Sequence, residues 1–230
     1  MSTNRNPRLV LLSGRKAAGK DTLAPTLMAS FGHDNPRHLS FADPLKDEVD
    51  RFIHLCRQAR NHREAEHLLE TLHDVDPMTG AERATIVGFL YRTSKNPREH
   101  SRSHSPDVVR ALQYYGTEVR RKSDPDYWVK KAVAAAEAAL SEGDSVVFTD
   151  ARFPNEVTGL QSIGGFAVRL EVSPEVQLER LKQRDGYVPQ EAMMTHPSET
   201  ALDGFTGFDV VVDTSDGDTP RMIDEILGAA

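Results

Sequence analysis

Short apolar runs alternate along the chain with segments in which apolar residues recur every three or four positions. The first run, Leu9 to Leu12, is followed by Leu23, Leu27 and Phe31 at helical spacing, which predicts a strand and then a helix. The same change of period recurs farther along the chain. Further strands are predicted at 37–42, 145–150, 166–172 and 208–213.

Helices are predicted between and after these strands. Proline near an acidic residue or serine favours a helix start at Pro44, Pro106, Pro125, Pro174 and Pro220. The helix that begins near Pro106 is expected to be interrupted at Gly116-Thr117, because glycine weakens helices.

Residues 57–105 differ from the rest of the chain, with dense charges, several histidines and little strand pattern. Two amphipathic helices are predicted there, at 64–73 and 81–91. The polar segment 96–106 is predicted to be a mobile loop. We interpret 57–105 as a helical insertion beside the second strand.

Alternating strands and helices predict a parallel sheet with helices on both faces. A chain of 230 residues suits one α/β domain with an inserted segment, so we predict a single domain over 1–230. The first of the five strands is expected to lie centrally, because its loop must reach a ligand at the carboxyl edge of the sheet.

That loop reads Gly14-Arg15-Lys16-Ala17-Ala18-Gly19-Lys20-Asp21-Thr22. It has the Gly-x-x-x-x-Gly-Lys pattern of a phosphate loop, whose backbone N–H groups surround a polyphosphate while the lysine bridges its β- and γ-oxygens. The alternative is an ordinary strand-to-helix turn, but the flanking strand and helix favour phosphate binding. Asp21 stands where most GTPases have Ser or Thr, and Thr22 follows; this arrangement is similar to small-molecule and nucleotide kinases.

Charged residues at predicted element ends are further candidates. Asp150 ends an apolar strand, where a carboxylate that faces Mg²⁺ is expected. Lys46 lies on the first turn of a helix near the ligand edge, and a solvated surface lysine is an equally good interpretation. Arg180, Lys182 and Arg184 share one predicted helix; they either neutralise a migrating phosphoryl group or form a solvated face.

Composition restricts the function classes. A net charge of −7 argues against a general nucleic-acid surface. No apolar run approaches the ~18 residues of a membrane-spanning helix, and residues 1–8 have no signal-peptide core, so we expect a cytoplasmic protein that binds no membrane.

Cysteine and histidine give little sign of metal or redox chemistry. Cys56, the single cysteine, can form no internal disulfide, and its apolar neighbours predict a buried structural thiol. The histidines at 54, 62, 67 and 73 form no His-Glu-x-x-His pair, so we expect a solvated surface there rather than a metal site.

Six motifs, in their order along the chain, resemble bacteriophage-type deoxynucleoside monophosphate kinases and, more distantly, animal-type phosphomevalonate kinases. The likeness covers most of the chain except its two ends and the insertion at 57–105. The phosphate loop is widely shared, whereas Asp-Pro-Asp-Tyr-Trp together with Asp-x-Arg-Phe-Pro-Asn-Glu is more selective. The motifs lie at 14–22, 41–46, 112–117, 124–128, 150–156 and 196–199.

The resemblance implies a P-loop NTPase fold in which the insertion covers the acceptor and 178–204 form a lid. It implies Mg²⁺ and ATP as cofactors, with Asp21 and Asp150 as metal ligands, directly or through water. Donor-binding residues would be Gly14, Lys16, Ala17, Ala18, Gly19, Lys20, Asp21, Thr22 and the lid residue Arg180. Acceptor-binding residues would be Lys16, Lys46, Trp128, Asp150, Arg152 and Glu156, and catalytic residues Lys20, Asp150, Arg152 and Arg184.

The leading hypothesis is Mg·ATP-dependent phosphorylation of a deoxynucleoside monophosphate, with small nucleotides rather than nucleic acid as partners. Trp128 and the tyrosines at 114, 115 and 127 favour this hypothesis, because they offer stacking surface for a base. The alternatives are a kinase of another small phosphate ester, such as phosphomevalonate, and a non-catalytic ATP-binding regulatory module. The sequence decides neither the preferred base nor whether the chain is a monomer or a homodimer.

Overall fold

A computed structural model describes residues 8–31, 35–73, 75–103, 105–185 and 200–230. The chain divides into two compact units. The first comprises the described parts of Met1–Phe41 and Val129–Ala230, and the second is Ala42–Trp128. The predicted insertion, 57–105, lies inside the second unit, which extends beyond it on both sides.

The described elements are five strands, nine α-helices and one π-helix. The strands are β1 (Leu9–Ser13), β2 (Pro36–Leu39), β3 (Ser145–Ala151), β4 (Phe166–Glu171) and β5 (Val210–Asp213). The helices are α1 (Lys20–Ser30), α2 (Asp43–Gln58), α3 (His62–Glu70), α4 (Gly80–Thr93), α5 (Pro106–Gln113), α6 (Tyr127–Ser141), α7 (Pro154–Gln161), α8 (Pro174–Asp185) and α9 (Thr219–Ala229). The π-helix (Tyr114–Arg121) directly follows α5.

The sheet belongs to the first unit, and its order is β2-β3-β1-β4-β5. Every pairing between neighbouring strands is parallel. The predicted five-stranded parallel sheet with the first strand at its centre is therefore confirmed. The second strand is shorter than predicted and ends at Leu39, because Ser40 and Phe41 bond to a side chain of β3 instead of continuing the strand pairing.

Helices cover both faces of this sheet, as predicted. Successive side chains of a strand point to opposite faces, so Leu9 and Leu11 pack with apolar residues of α6 and α7. Val10 and Leu12 point the other way and pack with α1 and α9. All five residues of β1 are buried, which fits a central strand of a parallel sheet. This is an α/β fold of the P-loop type, with the glycine-rich loop between β1 and α1.

The second unit consists of α2 to α5 and the π-helix around its own apolar core. Asn61 caps α3 by accepting a hydrogen bond from the Glu64 N–H. Thr79 and Glu82 form a capping box at the start of α4. Both helices predicted in this segment are thus present, each within a few residues of its expected bounds.

The expected interruption at Gly116-Thr117 is wrong, since the chain passes from α5 into the π-helix without a break. Gly116 packs closely against α2: a Cβ there would lie 2.9 Å from Leu45 Cδ2. The Gly116 carbonyl also accepts a hydrogen bond from the Trp128 indole N–H, at 3.0 Å. A tertiary contact has outweighed glycine's low helix propensity.

The π-helix helps to build a buried polar network. Tyr115 donates to the carboxylate of Glu48, and Arg120 Nε donates to the Tyr115 hydroxyl over 2.8 Å. Tyr127 also donates to Glu48, at 3.2 Å. Burial first, and then the Glu48 carboxylate, raise the pKa of the Tyr115 phenol, so it remains a donor. Because each polar group is hydrogen-bonded, the network tolerates its burial in an apolar core.

The segment 96–106 is irregular, as predicted, but its described part is anchored. Arg57 donates to the carbonyls of Ser94 and Glu99, and Asp50 accepts hydrogen bonds from the backbone and side chain of Ser101. Ser101 is buried. The prediction of a mobile loop therefore overlooked partners on α2, which lie about 40 to 50 positions away in sequence.

None of the helices in the described part of the chain is both long and apolar enough to cross a bilayer.

Candidate active site

The loop between β1 and α1 lies at the carboxyl end of the central strand. Gly19 is the N-cap of α1, with φ +91° in the left-handed region that favours glycine. Gly14 is required by close packing, since a Cβ there would lie 2.7 Å from the Leu170 carbonyl oxygen of β4. Both glycines of the sequence motif thus have a local geometric reason.

Lys20 begins α1 and its side chain folds back along the loop. Its Nζ donates to the carbonyl oxygens of Gly14 at 2.5 Å and Arg15 at 3.0 Å. The ammonium group therefore lies where the loop curves away from β1. Ala17 in the same loop has a left-handed φ of +61°, which is uncommon for a residue other than glycine.

Side chains of α8 and of the segment after β5 hydrogen-bond to the carbonyl groups of the phosphate loop. Gln177 Nε2 donates to the Lys16 carbonyl at 2.8 Å, and Arg180 Nη1 donates to the Ala17 carbonyl at 3.3 Å. Arg180 Nη2 also donates to the carbonyl of Thr214, at 2.5 Å. The Thr214 hydroxyl in turn donates to the Ala18 carbonyl at 3.0 Å. Three side chains distant in sequence thus fix the shape of the loop.

The two arginines of the predicted lid have different surroundings. A lid would leave both arginines solvated in the empty protein. Arg180 instead donates a hydrogen bond to the loop, whereas Arg184, one helical turn further along α8, is exposed. Residues 186–199, which include most of the predicted lid and the motif at 196–199, lie outside the described residues.

A cavity of about 560 Å³ opens beside the loop and α8. Its size is within the usual range for small-molecule sites. Two arginines, the start of α1 and the segment after β5 enclose it, so it offers both cationic and apolar groups. The lining residues are Ala17, Ala18, Gly19, Lys20, Asp21, Thr22, Leu23, Arg180, Gln183, Arg184, Thr214, Gly217, Thr219 and Met222.

Asp150 and Arg152 lie at the end of β3, the strand next to β1. The Asp150 carboxylate accepts hydrogen bonds from Ser40 Oγ at 2.5 Å and from the Phe41 N–H at 3.0 Å. These bonds tie the end of β3 to the residues that follow β2. The Asp150 carboxylate is therefore held by the chain segment that follows β2.

Glu156 lies in the first turn of α7, shortly after the end of β3, and is only 2% exposed. Its Oε2 accepts hydrogen bonds from the N–H groups of Arg152 at 2.6 Å and Phe153 at 3.1 Å. Such bonds belong to the N-terminus of α7, where they satisfy donors that the helix itself cannot. In this structure Glu156 holds the backbone of Arg152; its predicted contact with the acceptor's sugar or base stays a prediction.

A second, smaller pocket lies between the phosphate loop and the end of β3. Its volume is about 20 Å³, and it brings Lys20, Asp150 and Arg152 together. It is also lined by Arg169 of β4, which the sequence analysis did not select. The lining residues are Ser13, Gly14, Lys20, Asp150, Ala151, Arg152, Arg169 and Leu202.

Lys46 and Trp128 belong to the second unit. Lys46 lies on the first turn of α2, where its Nζ is 4.0 Å from Asp43. Trp128 is 2% exposed, and its ring packs edge-on against Tyr127 and Tyr115, which are buried as well. A role for Lys46 and Trp128 in acceptor binding stays a prediction. In this conformation the three aromatic rings belong to the hydrophobic core of the second unit.

The described residues include no group of three or more His, Cys, Asp or Glu side chains suited to a metal ion. Asp21 and Thr22 are exposed at the start of α1, beside the larger cavity. The histidines at 54, 62, 67 and 73 are exposed, as predicted for surface positions. Cys56 is fully buried, as predicted, and burial raises the pKa of its thiol to about 12.

Sequence reasoning missed Gln177, Thr214, Arg169 and also Asp203, whose carboxylate accepts hydrogen bonds from Arg15 of the loop. Arg169 could have been noticed, since it is a charged residue in the middle of an otherwise apolar strand pattern. The other three had no local signal, because each acts through a contact with a distant part of the chain.

No protein-family model matches the chain, and no curated protein matches it. Solved structures do resemble it. One is a sugar kinase from a Janibacter species, at 15% identity and a TM-score of 0.49, with 96% of this chain and 93% of that chain covered. Another is a Thermus thermophilus protein, at 15% identity and a TM-score of 0.49, with 97% and 96% covered. Likeness at this level supports no inference about activity, so the fold assignment here depends on the strand order and the loop.

Proposed function

We propose that this protein transfers the γ-phosphoryl group of Mg·ATP to the phosphate of a deoxynucleoside monophosphate. One observation supports this most directly: the phosphate loop with Lys20 shares a pocket with Asp150 and Arg152 of the neighbouring strand. A donor-binding loop and an arginine that suits a second phosphate thus meet at one sheet edge. Phosphoryl transfer between two phosphates requires this adjacency.

The larger cavity is the proposed site of the donor nucleotide. Backbone N–H groups at the start of α1 and the helix dipole favour its phosphates. Arg184 also lines this cavity and suits a role in neutralising charge on the transferred group. Leu23 and Met222 give the cavity apolar surface, which suits the nucleoside part of ATP.

The acceptor's phosphate is proposed to bind at the smaller pocket, which has room for one of its oxygen atoms. That phosphate is already ionised at neutral pH, so no general base is needed. Arg152 can clamp it, since a guanidinium fork matches two phosphate oxygens. Lys20 then stabilises the charge that develops during transfer, and the alignment of the two phosphates accelerates the reaction further.

Asp150 at the end of β3 and Asp21 in the first turn of α1 are the proposed carboxylates for a Mg²⁺ ion that arrives with ATP. Mg²⁺ prefers oxygen ligands and in kinases is usually held by one or two carboxylates together with substrate phosphates. Asp150 and Asp21 are such carboxylates, whereas the described residues offer no complete protein cage. When bound, the ion would reduce the negative charge of the ATP phosphates.

The class of acceptor is proposed from the sequence resemblance, through the motifs at 124–128 and 150–156. A second candidate is a kinase of a small, non-nucleotide phosphate ester. The burial of Trp128, Tyr115 and Tyr127 favours that candidate, because buried rings give no stacking surface for a base in this conformation. The intact loop, Asp150 and Arg152 argue against a purely regulatory module.

A panel assay tests the proposal. ATP consumption is measured with each of the four common deoxynucleoside monophosphates, their ribonucleotide forms and phosphomevalonate, and Lys20→Ala is the control for contaminating kinases. The proposal expects product with at least one deoxynucleoside monophosphate, and at least a hundredfold less with Lys20→Ala. Product with phosphomevalonate alone would support the second candidate. Tight ATP binding without product from any acceptor would support the regulatory module.

A further inference from the structure

Arg169 occupies an unusual position for an arginine. It lies in β4, pairs in register with Ser13 at the end of β1, and is only 8% exposed. Ser13 directly precedes the phosphate loop. A guanidinium buried at this depth is strongly unfavourable unless hydrogen bonds and opposite charge compensate for the lost water.

Two neighbours provide that compensation. Arg169 Nη2 donates to Asp203 Oδ1 at 3.0 Å, and Nη1 donates to Ser13 Oγ at 3.3 Å. A guanidinium has five N–H groups, so within the described chain these two bonds leave capacity for another acceptor. The burial of Arg169 is therefore supported without all of its donors being used.

Asp203 is shared between two arginines. Besides Arg169, it accepts two hydrogen bonds from Arg15 of the phosphate loop, Nη2 to Oδ2 at 2.5 Å and Nε to Oδ1 at 3.3 Å. Asp203 therefore joins Arg15 of the phosphate loop to Arg169 of β4.

The space beside Arg169 suits one oxygen atom. The pocket that it lines with Lys20 and Arg152 has a volume of about 20 Å³, enough for one water-sized group. Those three side chains are cationic, and Asp150 is the carboxylate on the same wall. A phosphate oxygen matches the pocket in both size and charge.

We infer that Arg169 binds an oxygen of the acceptor's phosphate, and that Asp203 is the positioning residue that holds the Arg169 guanidinium at the pocket. This inference rests on the proposed function. It adds a second arginine to the one, Arg152, that the motif predicted. It also gives Asp203 a role through Arg169 rather than through direct contact with substrate.

A purely structural role for the same ion pair predicts different behaviour. If Arg169 only joined β4 to the segment at Asp203, its replacement would lower the melting temperature. The KM values for ATP and acceptor would then change together, since the loop next to Ser13 would be disturbed as a whole.

The test compares Arg169→Lys with Arg37→Lys, a matched control on the edge strand β2, where Arg37 is paired with Glu142 and Asp144. Lysine keeps the charge but loses the planar fork. Arg169→Lys is expected to raise the acceptor's KM on the order of tenfold or more, while the KM for ATP stays within about twofold. Arg37→Lys should change neither. Equal changes in both KM values for Arg169→Lys, or no change in either, would overturn the inference.

A double-mutant cycle tests Asp203. Asp203→Asn should raise the acceptor's KM several-fold in the wild-type background and have little further effect in Arg169→Lys, because it acts through that side chain. Asp203→Glu should restore part of the loss. An additive effect in both backgrounds, or tighter acceptor binding in Asp203→Asn, would show that Asp203 does not position Arg169.

Calorimetric titration of the four deoxynucleoside monophosphates without ATP separates this inference from the proposed function. If the wild type binds a monophosphate but transfers no phosphoryl group, the proposed function fails, and the binding constants of Arg169→Lys still test the arginine. If the wild type is active and Arg169→Lys binds the acceptor normally, the inference fails alone.

Discussion

Replacing Glu156 should reveal whether this carboxylate supports Arg152 from within the protein or contacts a substrate. Its Oε2 accepts hydrogen bonds from the N–H groups of both Arg152 and Phe153. In Glu156→Ala, two donors at a buried helix start lose their partner. Hydrogen bonds to a charged group contribute about 1.5–3 kcal/mol each, and one shared oxygen makes the two less than additive. We therefore expect a loss of about 3 kcal/mol of unfolding free energy.

Glu156→Gln provides the matched comparison. Glutamine keeps an acceptor oxygen at the same place and also serves in capping boxes, but it lacks the charge that roughly doubles the strength of such bonds. The expected loss is about 1 kcal/mol. Glu137→Ala, on the exposed face of α6, controls for the removal of a surface carboxylate and should stay within about 0.5 kcal/mol of wild type.

Urea unfolding measures these differences, with a constant slope as evidence that stability alone has changed. For a chain of this size, Glu156→Ala should lower the Tm by roughly 6–12 °C and Glu156→Gln by roughly 2–4 °C. If Glu156→Ala proved as stable as wild type while the acceptor's KM rose more than tenfold, Glu156 would be a substrate ligand and the reasoning from its backbone contacts would be wrong.

Four further predictions concern the loop, the strand tip, helix α8 and the buried thiol. Lys20→Ala should keep its circular dichroism spectrum but lose turnover on the order of a hundredfold or more; near-normal turnover would contradict the phosphate-loop assignment. Arg152→Lys should raise the acceptor's KM and leave ATP binding without acceptor unchanged, and a large loss of ATP binding would move Arg152 to the donor side. Arg184→Ala should reduce turnover at unchanged Tm, whereas Arg180→Ala should also lower the Tm, because Arg180 bonds Ala17 and Thr214. The pKa of the Cys56 thiol is raised from 9.0 to about 12, so Cys56 should resist iodoacetamide at pH 8 until urea unfolds the chain. The contribution of the neutral thiol to the free energy of unfolding should be constant below pH 9 and be lost as the pH rises from 9 toward 12.

The parts of the fold that depend on local pattern could be predicted from the sequence. An apolar run, a Gly-x-x-x-x-Gly-Lys loop and helical spacing after it were sufficient to locate β1, Lys20 and α1. The central place of β1 followed from chemistry, because a loop that binds phosphate must reach the ligand edge. Asp150 could be selected because it ends an apolar strand and therefore lies at the same ligand edge of the sheet.

Features that depend on distant contacts could not be predicted in this way. Asp203 and Arg169 are 34 positions apart, and Arg169 and Ser13 are 156 apart. Gly116 has the local signature of a helix break, yet the helical backbone continues through it and its carbonyl accepts a hydrogen bond from Trp128. Trp128 shows a related difficulty, since an aromatic residue looks the same in sequence whether it stacks on a ligand or fills a core.

The π-helix at Tyr114–Arg121 makes the number of residues in that segment as important as their identity. Its turns hold one more residue than α-helical turns, so Tyr115 and Arg120, five positions apart, lie side by side and hydrogen-bond. In an α-helix the same two residues would diverge. An insertion of one residue beside the exposed Glu118 would therefore rotate Arg120 away from Tyr115 and leave the buried Glu48 network incomplete. Deletion of Glu118 would place Arg120 four positions after Tyr115, a spacing that an ordinary α-helix brings together. For this segment, chain length itself is under structural constraint.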